Sequence, residues 1–358
     1  MSGMKWYIAR RIIWTFIVLW ITLSITWGLL EMSPNSGELR AAQQAAMAGG
    51  NASEAMEDFR KSRGLNAPWH ERYMDYMVNM YTLNWGYSDH WDQNVIQLLT
   101  ERWPFSFQYA FPAAILTMIF GYGIGVYSAL NQYTKSDYVA TFLAFFGLSI
   151  PNFWFAIVLV LIAGVWFQDA VVFGVSLSAF KLPVFYKTQV ISDSPWLFKS
   201  SVLSVRRGWF SVDNLKQILI PIVVISTAGF ASNARYSRAY VLEYANSEFV
   251  KTARAKGADG VGVAKHILRV AIVPLMTILV FDFLNIFVAS TLVIEFIFSI
   301  PGLGLITFQS FLNQDTPVIL ANTVLGVALA LLGYLLQDLA YVYLDPRIDY
   351  GDRTGGAR

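Results

Sequence analysis

The chain has 358 residues, 56% of them hydrophobic and 14% charged, with a formal net charge of +2. Soluble domains carry about 25% charged residues, and so small a net charge leaves no global footprint for nucleic acid. There are no cysteines, and the three histidines, His70, His90 and His266, lie far apart, which excludes disulfides, thiol catalysis and Cys-ligated zinc and leaves no metal site to expect.

Lys5, Arg10 and Arg11 flank the uncharged run 12–30. About 20 apolar residues cross a bilayer, so residues 1–30 are expected to form a first transmembrane helix. A signal peptide is the alternative, but the run exceeds the usual apolar core and Glu31-Met-Ser-Pro34 is a poor cleavage site. Its basic start places the N-terminus in the cytoplasm. Residues 31–103 are polar and form a first external segment. Within it, 45–53 is expected to be a flexible insertion, 64–73 to begin an amphipathic stretch, 84–88 to turn, and 95–102 to form a short helix leading to the membrane. Asn51-Ala-Ser53 fits a glycosylation sequon, a weak and common match.

Residues 104–167 hold spans two and three. The second lies at about 105–130, where Gly121 and Gly125, four apart, predict a close helix–helix contact. A short loop with Lys135 and Asp137 follows. The third lies within 138–168, with a kink expected at Pro151, which lacks a backbone donor. Residues 168–214 form a second external segment. Its slight positive excess sits awkwardly with a strict charge rule.

Residues 215–348 hold spans four to six, at about 217–234, 270–297 and 318–342, and 349–358 is a tail. Between spans four and five, residues 235–269 carry seven Lys/Arg against three acids, which assigns this loop to the cytoplasm. Six spans then leave both termini inside. The fold class expected is an all-α integral membrane protein with two sizeable external segments.

The loop 243–269 interrupts two long apolar runs. Helix formers fill 248–256, Gly257 can take the left-handed conformation that ends a helix, and Asp259 can cap the next one. Phe249, Ala253 and Gly257 recur every four residues and share a face. The plain alternative is a charged loop that only fixes topology.

Asp282 and Asn285 lie one turn apart near the middle of span five. A carboxylate at that depth is costly and usually faces a cavity or a partner, so both are pore-lining candidates, as is Asn152 after Pro151. A helix–helix hydrogen bond is the structural alternative. Glu295 and Asp338 read as anchors near span ends. Ser299-Ile-Pro301-Gly302-Leu-Gly304-Leu305 breaks the helix into a tight re-entrant or external loop. No Gly-x-x-x-x-Gly-Lys-[Ser/Thr] run occurs, so any ATP would be hydrolysed elsewhere.

Taken together, these segments are far more specific. Thr252-Ala-Arg-Ala-Lys-Gly257, with Pro274 seventeen positions on, resembles the cytoplasmic "EAA" loop of ATP-binding-cassette (ABC) importer permeases. Lys251 and Thr252 stand where the general motif has Glu and Ala, and Ala253 and Gly257 match it. Gly147-Leu-Ser-Ile-Pro-Asn-Phe-Trp154, Gly86-Tyr-Ser88, Glu295 with Phe298-Ser-Ile-Pro-Gly-Leu-Gly304, Asp315-x-Pro317, Asp338-x-x-Tyr341 and Leu344-Asp345-Pro346-Arg347-Ile348 resemble the peptide/nickel branch of that family. Trp69-His-Glu-Arg-Tyr73 and the run 345–350 are similar to a member that imports microcin-like peptides.

The resemblance implies a type I ABC importer fold and a coupling helix that docks on a separate ATPase through Glu248, Phe249, Ala253, Arg254 and Gly257. Implied partners are a second homologous permease, two ATPase subunits that hold ATP and Mg, an extracytoplasmic binding protein and membrane lipids. No cofactor on this chain is implied. Di- or oligopeptides are the implied cargo, with nickel and sugars also carried in the branch. The alternatives are an ion-coupled secondary transporter, in which Asp282 or Glu295 would titrate with transport, and an intramembrane enzyme, for which no nucleophile–base motif is present.

Overall fold

A computed structural model describes residues 2–32, 36–169, 171–172, 175–183, 185–191, 202–205, 209–288 and 291–344. The chain divides into two compact units, 1–100 with 306–331, and 101–305 with 332–358.

The first unit starts with α1 (Ser2–Met32), α2 (Ser36–Met47), α3 (Ala52–Ser62) and α4 (Trp69–Tyr81). Residues 45–53, expected to be flexible, instead join α2 and α3 into a helical hairpin. Gly49 takes φ +77° at its corner, and the Asn51 side chain accepts from the Ser53 N–H at 3.0 Å to start α3. Arg60 and Glu38 close the hairpin at 2.8 Å. The composition misled because a small-residue turn and a flexible tract share the same residue types.

Helix α4 packs on α1. The Tyr73 hydroxyl lies 2.8 Å from Ser24 Oγ, its ring meets Trp27 edge-on, and Arg72 grips Glu31 with two bonds of 2.5 and 2.8 Å. Strands β1 (Tyr87–Ser88) and β2 (Gln93–Asn94) make a small antiparallel ribbon. Its Ser88 Oγ donates to the buried Asp315 carboxylate, just ahead of α15 (Thr316–Leu344).

The short helix expected at 95–102 and the second span form one continuous helical stretch, most of it in the second unit. It comprises α5 (Val95–Leu116), a π-helical turn at Thr117–Gly121 and α6 (Tyr122–Leu130). Pro104 and Pro112 lie inside α5 without ending it. Helix α10 (Val212–Ala245) lies across α6. A Cβ on Gly121 would come 2.8 Å from Asn233 Cβ, and one on Gly125 would overlap Ser237 Oγ and the Ala234 carbonyl. This is the close approach that the glycine spacing predicts.

Span three is more than kinked. Helices α7 (Lys135–Ser149) and α8 (Asn152–Leu159), the latter continued to Trp166, meet at 98°. Ile150 is extended at φ −91°, ψ 120°, because a proline disfavours helical geometry in the residue before it. The break therefore takes two residues rather than one hydrogen bond.

The segment expected to be external carries α9 (Phe167–Asp169) and two further antiparallel ribbons, β3 (Val171–Val172) with β4 (Val175–Ser176) and β5 (Thr188–Ile191) with β6 (Val202–Val205). With β1–β2 these make the fold mostly rather than purely helical. Tyr186 anchors this segment. Its N–H donates to the Phe298 carbonyl at 2.8 Å, and its hydroxyl lies 2.7 Å from Asn214 Oδ1. Burial pushes that hydroxyl's pKa up to about 12.

The unit is completed by α11 (Glu248–Ala255), α12 (Gly260–Val288) and α13 (Thr291–Phe298), followed by the start of α14 (Leu303–Leu312). Phe105, Tyr109, Ala113, Val224, Phe298 and Ile300 form its main core. Among the described residues, four helical stretches are long and apolar enough to cross a membrane, or up to six if each bent pair counts as one span.

Candidate functional site

Two constructions carry the residues singled out by the sequence. The first is the polar corner between α10 and α12. Ser247 is extended (φ −70°, ψ 156°) ahead of α11, which is only eight residues long. Its end is a Schellman closure: the Ala258 N–H donates to the Ala253 carbonyl at 3.1 Å and the Gly257 N–H to the Arg254 carbonyl at 2.9 Å. Gly257 takes φ +84°, the left-handed geometry that glycine adopts without strain. Asp259 then caps α12, its Oδ1 accepting from the Gly262 N–H at 2.7 Å. Both local expectations hold.

The face of α11 needs correction. Val250 and Ala253 are buried, and Val250 sits in a small core with Ala129, Val241, Val263 and Ile267. Phe249 is 38% exposed, and Glu248, Arg254 and Gly257 are also exposed. Residues four apart on a helix drift by about 40°, enough to turn Ala253 inward while Phe249 stays out. The outward surface is therefore Glu248, Phe249, Lys251 and Arg254, with Lys251 Nζ 2.7 Å from Glu248.

The second construction is the elbow after α13. Helices α13 and α14 meet at 90° across Pro301 and Gly302. Glu295, fully buried, holds the elbow. Its Oε1 accepts from Ser106 Oγ at 2.6 Å and from the Tyr109 hydroxyl at 2.8 Å, and its Oε2 accepts from the Leu305 N–H at 2.8 Å. Ser106 Oγ also accepts from the Leu303 N–H at 2.9 Å. A Cβ on Gly302 would overlap the Glu295 carboxyl and Ser106 Oγ, so only glycine lets the chain pass here. Gly304 is buried in the same turn. The sequence read Glu295 as an anchor but gave no sign of Ser106 or Tyr109.

Asn152 is half-buried at the first position of α8. Asp282 and Asn285 lie one turn apart on α12, with their side chains outside the described residues. Asp338 is half-buried on α15. Asp345, Pro346 and Arg347 lie outside the described residues.

Residues 121–350 match the family described as binding-protein-dependent transport system inner membrane component. The chain belongs to that family. The matched range contains the α11 corner and the 295–305 part of the elbow, while Ser106 and Tyr109 precede it. This permease is 31% identical over 296 residues to the oligopeptide transport system permease protein AppB of Bacillus subtilis, covering 82% of this chain and 85% of that protein. It is 28% identical over 355 residues to the dipeptide transport system permease protein DppB of Alkalihalophilus pseudofirmus. It is 29% identical over 349 residues to the oligopeptide transport system permease protein OppB of Escherichia coli K12. Each of these two matches covers 96% of this chain and 99% of the relative. The chain is accordingly a membrane permease subunit of a binding-protein-dependent transporter, not an enzyme.

Proposed function

We propose that this permease imports di- or oligopeptides across the cell membrane as half of a translocation pathway, energised by separate ATPase subunits. The observation that carries the reading is the α11 corner, a short exposed basic helix closed by a left-handed glycine, inside the region matched to the family. A helix of two turns braced by Val250 against the bundle is rigid enough to transmit a push without bending. Its outward Glu248, Phe249 and Arg254 offer a compact docking surface for an ATPase groove. Similarity to oligopeptide and dipeptide permeases along nearly the whole chain supports a peptide cargo.

In this reading there are six spans, with both termini and the α11 loop in the cytoplasm. A second homologous permease completes the pathway, and Asp282, Asn285 and Asn152 line it. Two ATPase subunits bind ATP and Mg, and an extracytoplasmic binding protein delivers the cargo to the side of the external segments. The test is co-expression with tagged candidate ATPases and purification in mild detergent. The expected result is a stoichiometric assembly that Phe249→Ala with Arg254→Glu disrupts without loss of the permease. An assembly indifferent to that double change would reject α11 as the docking helix.

A further inference from the structure

A cavity of about 240 Å³ lies between α6, α7 and α10, and nothing above gives it a role. Its walls are mostly apolar, Ile124, Ala144, Phe145 and Leu148 among them, and Arg235 and Arg238 also line it. Phe145 is 56% exposed, and the neighbouring Phe142 65%. The cavity therefore lies beside a surface suited to hydrocarbon, with two cations in its lining.

The two arginines differ. Arg238 is fixed in place, its Nη2 donating to Asp137 Oδ2 at 2.9 Å. Asp137 is further held by the Tyr133 N–H at 3.0 Å and by the Ser128 hydroxyl. The Nε of Arg238 is buried and has no hydrogen-bond partner, a costly state for a charged donor. Arg235 is exposed, packs on the Tyr236 ring at 5.3 Å and makes no ion pair among the described residues. The single carboxylate here thus answers one guanidinium in part and leaves the other unmatched. Both arginines follow directly on the uncharged run 217–234, the level at which a membrane-crossing helix meets headgroups.

We propose that this cavity binds an anionic phospholipid, one acyl chain lying along Ile124, Ala144 and Leu148 and the phosphodiester meeting the exposed guanidinium of Arg235 beside the Arg238–Asp137 pair. Guanidinium forks match phosphate oxygens in geometry and charge, and the apolar floor separates a lipid from a free anion.

The test uses the full-length chain, delipidated in mild detergent, with phosphatidylglycerol, phosphatidylethanolamine and inorganic phosphate as probes. Native mass spectrometry reads binding and a thermal melt reads stabilisation. Phosphatidylglycerol is expected to bind and raise the Tm, while phosphatidylethanolamine binds more weakly and phosphate has no effect. Arg235→Gln should weaken phosphatidylglycerol binding about tenfold, the loss expected for a charge-assisted contact, and Arg235→Lys should retain most of it. Ala144→Leu, which fills the apolar floor, should also lose the lipid. The lipid-free melt of each variant checks folding, and the Ala144 variant carries the test where the arginine variant does not fold. Equal binding of the two lipids, full protection by inorganic phosphate, or unchanged binding in Arg235→Gln or Ala144→Leu would overturn the assignment.

Discussion

Gly257 concentrates the coupling argument in one backbone angle. At φ +84° a residue with a Cβ carries a penalty of about 1–2 kcal/mol, and a β-branched residue sits at the upper end because its side chain crowds both flanking peptides. A Cβ built on Gly257 meets no atom within 4 Å. The perturbation in Gly257→Val is therefore chiefly local backbone strain, since the added Cβ itself meets no other part of the fold. That strain equals a roughly 5- to 30-fold shift between the closed corner and an opened one, acting on the two bonds that end α11. The long helices do not depend on the corner, so membrane insertion should survive. Gly257→Asn tolerates the left-handed region and should stay close to wild type. The assay is ligand-stimulated ATP hydrolysis by the whole assembly in vesicles. The valine variant is expected to lose stimulation several-fold and the asparagine variant to retain most of it. Wild-type stimulation in Gly257→Val would refute the role of the corner, and equal loss in both variants would show that the open space beside it matters rather than φ.

Four other outcomes are expected. A cysteine at Ser53, the only one in the chain, should label from outside the cell, and labelling solely from the cytoplasmic side would reverse the topology. Gly125→Leu should push α10 away from α6 and prevent stable accumulation, because the added side chain would overlap backbone; normal expression and melting would contradict the packing. Glu295→Ala removes the acceptor of the buried Ser106 hydroxyl and of the Leu305 N–H, a buried donor left unpaired costing about 1–3 kcal/mol, and should lower the Tm by many degrees, with Glu295→Gln milder; an unchanged melt for the alanine variant would dismiss the elbow as a brace. Asp282→Ala should reduce transport while the protein still assembles, and failure to accumulate would make Asp282 a packing residue.

What the sequence made legible was local. Gly257 and Asp259 act on backbone groups within five residues of themselves, so their identities sufficed. Gly121 and Gly125 predicted a close contact because small residues four apart serve few other ends on an apolar helix. Non-local features stayed hidden. Ser106 and Glu295 are 189 residues apart, and a serine among apolar residues carries no sign of its partner. Pro151 was legible as a weak point, but the right-angle break also needed Ile150 to turn extended. Ala253 was misplaced because a four-residue spacing tracks a helix face only approximately, and burial of Val250 set the rotation. The small ribbons of two to four residues per strand are too short to leave an alternating pattern.

The central claim is ATP-driven peptide import through this permease, and uptake tests it most directly. The chain, its partner permease and the two ATPases would be reconstituted in vesicles with the binding protein outside, ATP inside and a labelled tripeptide added. The account predicts accumulation that requires ATP and the binding protein and persists when ion gradients are collapsed. Uptake that proceeds without ATP and stops when the proton or sodium gradient is removed would contradict it and favour an ion-coupled carrier.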